Sequence, residues 1–171
     1  MAFDEQAQAL ASAAPDAIVI ETMTDLKEAE YAIAAARATG LPVVACMVFD
    51  SGRAKDHTMM GVSPEEAAAA LTELGVDVVG ANCGIGVEGY VSICRRMALA
   101  TELPVWIKAN AGIPEIVSGE VVYRTTPDEY ADHLEILIDA GASFVGGCCG
   151  TNPEFVAAMN LRLEKIKSAS T

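Results

Sequence analysis

Short apolar runs rich in β-branched residues alternate along the chain with longer stretches in which apolar positions recur at helical spacing. The runs are AIVIE (17–21), PVVACMVF (42–49), DVVGAN (77–82), PVWIK (104–108) and SFVGG (143–147). Each has the length of a strand and is apolar on both faces, as parallel strands covered by helices are. The stretches between them carry helix start and stop signals. Residues 3–14 read as a short helix stopped by Pro15. Thr24 or Asp25 caps a helix that reaches Thr39 and stops at Gly40. Ser63-Pro64-Glu65-Glu66 places a cap, a proline at the first helical position and an acid three residues after the cap; Gly75 ends that helix. A helix is predicted over 88–101, another opens at Thr126-Pro127-Asp128-Glu129 and closes at Gly141, and the last opens at Asn152-Pro153-Glu154 and frays near Ser168. Residues 50–61 form a polar loop. Residues 109–125 form a longer loop with glycine and proline, and loops of that length are usually functional.

Strands alternating with helices predict an α/β fold with a parallel sheet. No G-x-G-x-x-G follows the first strand, so a dinucleotide fold is not indicated. The similar spacing of the five βα units points to part of a (β/α)8 TIM barrel, forming a single domain over 1–171. A complete barrel takes about 250 residues, so 171 residues predict a partial barrel that pairs with something, a fragment, or an open sheet.

With 52% hydrophobic residues the chain can bury a substantial core. Its formal net charge of -13 argues against nucleic acid and anionic membranes, which attract basic patches. A solvated acidic surface accounts for the charge without a partner. No apolar run approaches the roughly 20 residues that span a bilayer. The first residues carry acids and no basic segment, so no signal peptide is expected and a cytoplasmic location is. Thiols stay reduced there. Five cysteines, two of them adjacent, also fit a disulfide framework badly.

Barrel active sites lie at the C-terminal ends of the strands. Cys83 follows one strand at that end, and Cys148 and Cys149 follow another. Adjacent residues of a regular strand point to opposite sides, so the backbone must turn for both to meet one ion. Gly146, Gly147 and Gly150 supply that freedom. Three thiolates leave one position open on tetrahedral zinc, the mark of a catalytic site. A free thiol with a pKa of about 8.5 is mostly protonated at neutral pH; on zinc it loses its proton. A vicinal disulfide between Cys148 and Cys149 is the alternative. Cys46, inside an apolar strand, and Cys94, in mid-helix, read as small buried hydrophobes. His57 and His133 read as loop and helix-surface residues.

Five segments resemble the zinc-dependent homocysteine S-methyltransferases, a family that includes the homocysteine domain of cobalamin-dependent methionine synthase and betaine-homocysteine methyltransferase. They are ETMTD (21–25), GRAKDHTMMGVSPEEA (52–67), GANCGIG (80–86), KANAGIPE (108–115) and GGCCGTNPE (146–154). The resemblance covers essentially the whole chain, and its most specific part is GGCCGT with an upstream NC.

It implies a Zn2+ site on Cys83, Cys148 and Cys149 and transfer of a methyl group to the thiol of homocysteine, giving methionine. Glu21 would bind the substrate's amino group, against the alternative of a helix N-terminal charge. Asn82 and Asn110 would line the pocket, hydrogen-bonding the substrate or orienting the loop, against the alternative of turn residues. Tyr123 and Asp25 would stand behind the site or serve packing. The family's N-terminal strand with a DGAMGT-like motif has no counterpart here, so the chain corresponds to about five C-terminal βα units. It would then assemble with a separate N-terminal half, pair with itself, or be an artificial or degenerate fragment. The alternative function is a non-catalytic zinc-binding subunit. The GVEG sequence after Asn82-Cys83 and MMGVSPEEA are more like bacterial corrinoid-type members than the betaine enzymes. The methyl donor would be methylcobalamin on a partner corrinoid protein, a methylated sulfonium, or a betaine.

Overall fold

The computed structural model describes residues 2–169. Five parallel strands carry the fold: β1 (Ile18–Met23), β2 (Val43–Met47), β3 (Val78–Cys83), β4 (Val105–Ala109) and, after an antiparallel hairpin of β5 (Glu115–Val117) and β6 (Glu120–Val122), β7 (Ala142–Gly147). Their order in the sheet is β1-β2-β3-β4-β7, and every neighbouring pair is parallel. Each strand is thus laid beside its predecessor. That is the winding of a (β/α)8 segment; a doubly wound sheet reverses its order at a switch point.

The helices are α1 (Ala2–Ala11), α2 (Leu26–Arg37), α3 (Pro64–Glu73), α4 (Val87–Ala98), α5 (Pro127–Asp132), α6 (Leu134–Asp139) and α7 (Pro153–Ala169). Asp25, not Thr24, caps α2: its carboxylate accepts from the backbone N–H groups of Lys27 and Glu28. Ser63 with Glu66, and Thr126 with Glu129, form complete capping boxes. The helix expected to run unbroken to Gly141 is interrupted at His133 and becomes α5 and α6. The long loop after β4 contains the β5–β6 hairpin, turned by Ser118 and Gly119 with φ of 53° and 86°.

Alternate strand residues sort onto two faces. Ile18, Val43, Ala45, Met47, Val79, Ala81, Val105, Ile107 and Ala109 join one core with helical Ile33, Leu71, Ile93, Met97 and Leu137. A fully buried aliphatic side chain of this kind contributes about 1.5–3 kcal/mol, so the fold rests on this helix-covered layer. The intervening positions, among them Val19, Glu21, Cys46, Gly80, Trp106, Lys108 and Phe144, face the side that is interior in a closed barrel. The expectation of strands apolar and covered on both faces therefore holds only in the middle of the sheet. β2 is buried throughout, but on the outer strands Val19 is 38% and Phe144 48% exposed. Among the described residues no helix is long and apolar enough to cross a membrane.

Candidate metal centre

Cys83 ends β3 in the left-handed region, with φ of 68°, and Gly84 follows at the same φ. A cysteine rarely adopts that conformation, and the surroundings hold it there. The buried Tyr90 of α4 donates its hydroxyl to the Asn82 carbonyl at 2.8 Å. A Cβ on Gly84 would meet that hydroxyl at 2.6 Å, so only glycine fits.

Cys148 follows β7, and its N–H donates to the Ala109 carbonyl at 2.9 Å. Its own carbonyl accepts from Thr151 N at 3.2 Å and Thr151 Oγ1 at 2.8 Å, closing a turn through Gly150, whose φ is 80°. This is the turn that brings adjacent cysteines to one side.

The result is a cluster. The Sγ atoms of Cys83, Cys148 and Cys149 all lie within 4.8 Å of one another. Cys83 Sγ is 3.9 Å from Cys149 Sγ, and Cys149 Sγ is 4.0 Å from Cys148 Sγ. Tetrahedral zinc with Zn–S bonds of about 2.3 Å sets its sulfurs about 3.8 Å apart. The donor set therefore fits zinc in both spacing and chemistry. The vicinal disulfide is not formed, and all five cysteines are free thiols.

Two buried asparagines brace the cluster. Asn82 exchanges two hydrogen bonds with Thr22, accepting from its N–H at 2.7 Å and donating Nδ2 to its hydroxyl at 2.8 Å. Asn82 Nδ2 also lies 3.6 Å from Cys148 Sγ as a donor. Asn110 donates Nδ2 to Cys83 Sγ at 3.6 Å and to the Gly84 carbonyl at 2.8 Å, and its Oδ1 accepts from Cys149 N at 3.0 Å. Both amides thus serve the ligands and their turns.

The remaining candidates scatter. Glu21, near the C-terminal end of β1, points to the concave face and is ion-paired with Lys108. Tyr123 leaves the hairpin and covers Gly150, where a Cβ would strike its ring at 2.3 Å. Asp25 is spent on capping α2. Cys46 and Cys94 are buried and are not members of the cluster of three. His57 bonds Asp56 at 2.8 Å, and His133 donates Nδ1 to the Glu129 carbonyl at 2.9 Å; neither joins the sulfurs.

Partial burial of the Cys149 thiol, and behind it the adjacent Cys148 and Cys83 sulfurs, push its pKa up to about 11 in the metal-free protein. Three sulfurs this close resist losing their protons together, and a divalent cation removes that resistance. Burial, above all, carries Cys46 to about 12, with Lys108 opposing the shift, consistent with an inert thiol.

Sequence reasoning passed over Lys108, Thr22 and Tyr90. A lysine inside an apolar strand was the available signal, since a buried charge needs a partner. Thr22 and Tyr90 act through backbone and amide contacts that spacing does not announce.

A family model described as homocysteine S-methyltransferase matches residues 1–163. Methionine synthase of Mycobacterium tuberculosis (strain ATCC 25618 / H37Rv) is 30% identical over 173 residues, covering 97% of this chain and 14% of that protein. Methionine synthase of Mycobacterium leprae (strain TN) is 30% identical over 162 residues, covering 91% and 13%. Among solved structures, the homocysteine methyltransferase MmuM from Escherichia coli superposes in its metallated form with a TM-score of 0.74 at 25% identity, over 94% of this chain and 51% of that one. Its apo form gives 0.72 at 26% identity, over 94% and 56%. The chain thus spans about half of that enzyme and a much smaller share of the methionine synthases.

Proposed function

The chain belongs to the homocysteine S-methyltransferase family, and from that premise we propose that it is the zinc-bearing part of an enzyme that methylates the thiol of homocysteine to give methionine. The observation that carries this reading is the set of three sulfurs at tetrahedral-zinc spacing, drawn from two strand ends. A relative crystallised in metallated form supports it.

Zinc, when bound, lowers the pKa of a thiol at its open position so that the thiolate is available at neutral pH. Cys83, Cys148 and Cys149 hold it. Asn82 and Asn110 donate N–H groups toward two of the sulfurs and fix their direction, as partners behind metal ligands do. Glu21 offers a half-exposed carboxylate to the amino group of homocysteine. Attack by the substrate sulfur on the donor methyl forms the C–S bond and breaks the methyl's bond to its carrier. We propose a corrinoid protein carrying methylcobalamin as that donor, on the sequence likeness to methionine synthases. The free thiols fit a cytoplasmic setting.

A second reading is favoured by the sheet itself. Among the described residues β1 and β7 each have one unpaired edge, and Val19 and Phe144 beside them are exposed on the concave face. A complementary set of strands, from another chain or a second copy, would complete the barrel before turnover begins.

Metal content by elemental analysis tests the site. About one zinc per chain in the wild type, lost in Cys148→Ser, is expected; a folded, reduced wild type that takes up no zinc overturns the reading. Methyl transfer from methylcobalamin to homocysteine that survives Cys149→Ser would overturn the enzymatic role. Zinc uptake without turnover until the complementary strands are supplied would establish the second reading.

A further inference from the structure

Lys108 lies on the concave face of β4, and its ammonium pairs with Glu21 of β1, across the width of β3 and β2. The path is built for it. Gly80 of β3 has no side chain, and a Cβ there would strike Cys46 Sγ at 2.6 Å. On the other side a Cβ on Gly146 would press on Lys108 Cγ at 3.2 Å. The ammonium sits 4.5 Å from the Trp106 ring centre. The lysine side chain is 6% exposed, whereas that of Glu21 is 49% exposed.

This asymmetry has a consequence. A buried ammonium keeps its carboxylate partner, because parting from it leaves an uncompensated charge away from water. Glu21 Oε1 is therefore occupied, and no other bond to this carboxylate forms among the described residues. The second oxygen remains, on the exposed side.

We infer that Lys108 is a positioning residue: it holds one oxygen of Glu21 so that the other is presented to the amino group of an α-amino thiol. This rests on the reading of the cluster as a thiol-binding zinc site. It assigns the selection of amino-acid thiols over plain thiols to a lysine that touches neither the substrate nor the metal.

The test uses the full chain loaded with Co2+, whose thiolate absorption reports entry of a fourth sulfur. The probes are L-homocysteine and 4-mercaptobutyrate, which lacks only the amino group. The wild type is expected to prefer L-homocysteine by about tenfold or more, an ion-pair-sized discrimination. Lys108→Met should reduce that preference to about twofold while 4-mercaptobutyrate binds as before, and Lys108→Arg should keep most of it. In a Glu21→Gln background, Lys108→Met should change the ratio by less than about twofold, since the two act as one unit.

A Lys108→Met protein that keeps the wild-type preference overturns the inference. So does one that loses both thiols equally, which marks a purely structural strut, or one that loses 4-mercaptobutyrate, which marks a direct carboxylate contact. Should Lys108→Met not fold, the Glu21→Gln/Lys108→Met pair leaves no unpaired buried charge, and a retained preference there overturns it equally. A wild type that binds both thiols alike defeats this inference alone. A wild type that binds neither defeats the proposed function with it.

Discussion

The side-chain amide of Asn110 spans both halves of the sulfur cluster, donating to Cys83 Sγ at 3.6 Å while accepting from the Cys149 backbone N–H at 3.0 Å. One residue just past the end of the strand between the two ligand strands thus sets a thiol direction on one side and a turn on the other. Asn110→Ala is expected to lower zinc affinity by about 10–100-fold with all three cysteines intact. Competition against a chromophoric chelator measures it, and an unchanged affinity would show that the turns hold themselves.

The metal-free protein should lose stability in alkali. Cys149 rises from 9.0 to about 11 on folding, chiefly through burial. Below pH 9 the thiol is protonated in both states and its contribution is complete. Between about 9 and 11 the unfolded chain sheds the proton and the folded one keeps it, so stability falls as pH rises through that window. Zinc loading should remove this share, because the coordinated thiolate no longer titrates there. Urea midpoints taken from pH 8 to 11, with and without zinc, check both parts; Cys149→Ser should flatten the metal-free slope.

Gly80→Ala should be costly for a reason confined to the concave face. The new Cβ would lie 2.6 Å from Cys46 Sγ and 2.7 Å from the Trp106 carbonyl oxygen. Overpacking of this kind destabilises by about 1–3 kcal/mol. Adding Cys46→Ala relieves the sulfur contact but not the carbonyl one, so the double variant should recover only part of the loss in thermal melts.

Ser63→Ala removes the side-chain oxygen that accepts from Glu66 N at 3.3 Å and so opens the capping box of α3. A loss of about 0.5–2 kcal/mol is expected in denaturant unfolding. The zinc stoichiometry should not change, because the bonds of Ser63 stay within its own cap and none reaches the sulfur cluster.

The sequence made the sheet legible where pattern and physics coincide. Strands such as VVACM are buried throughout and read as apolar runs, and the two Ser/Thr-Pro-x-Glu starts are caps by their own chemistry. The convergence of Cys83 with Cys148 and Cys149 followed once strand ends were placed on one side of the sheet. The β5–β6 hairpin escaped because its three-residue strands are mostly exposed and leave no alternation to read. Its turn, Ser118-Gly119, did carry a signal, since both residues take the positive φ that two-residue hairpin loops demand. Lys108 escaped because its partner lies 87 residues away, and nothing along the chain pairs a strand lysine with a distant strand-end glutamate.

The ligand strands β3 and β7 never touch as a pair; β4 lies between them. A cation held by Cys83 and by Cys148 and Cys149 would therefore close a long loop of chain around an intervening strand, as a covalent cross-link would. Because the unfolded chain has no such triad assembled, free zinc at about 100 times its dissociation constant would add about 2.7 kcal/mol to folding. Zinc supply would then act as a proofreading step on the winding itself: only a sheet in which β3, β4 and β7 have been laid down in order can keep the ion.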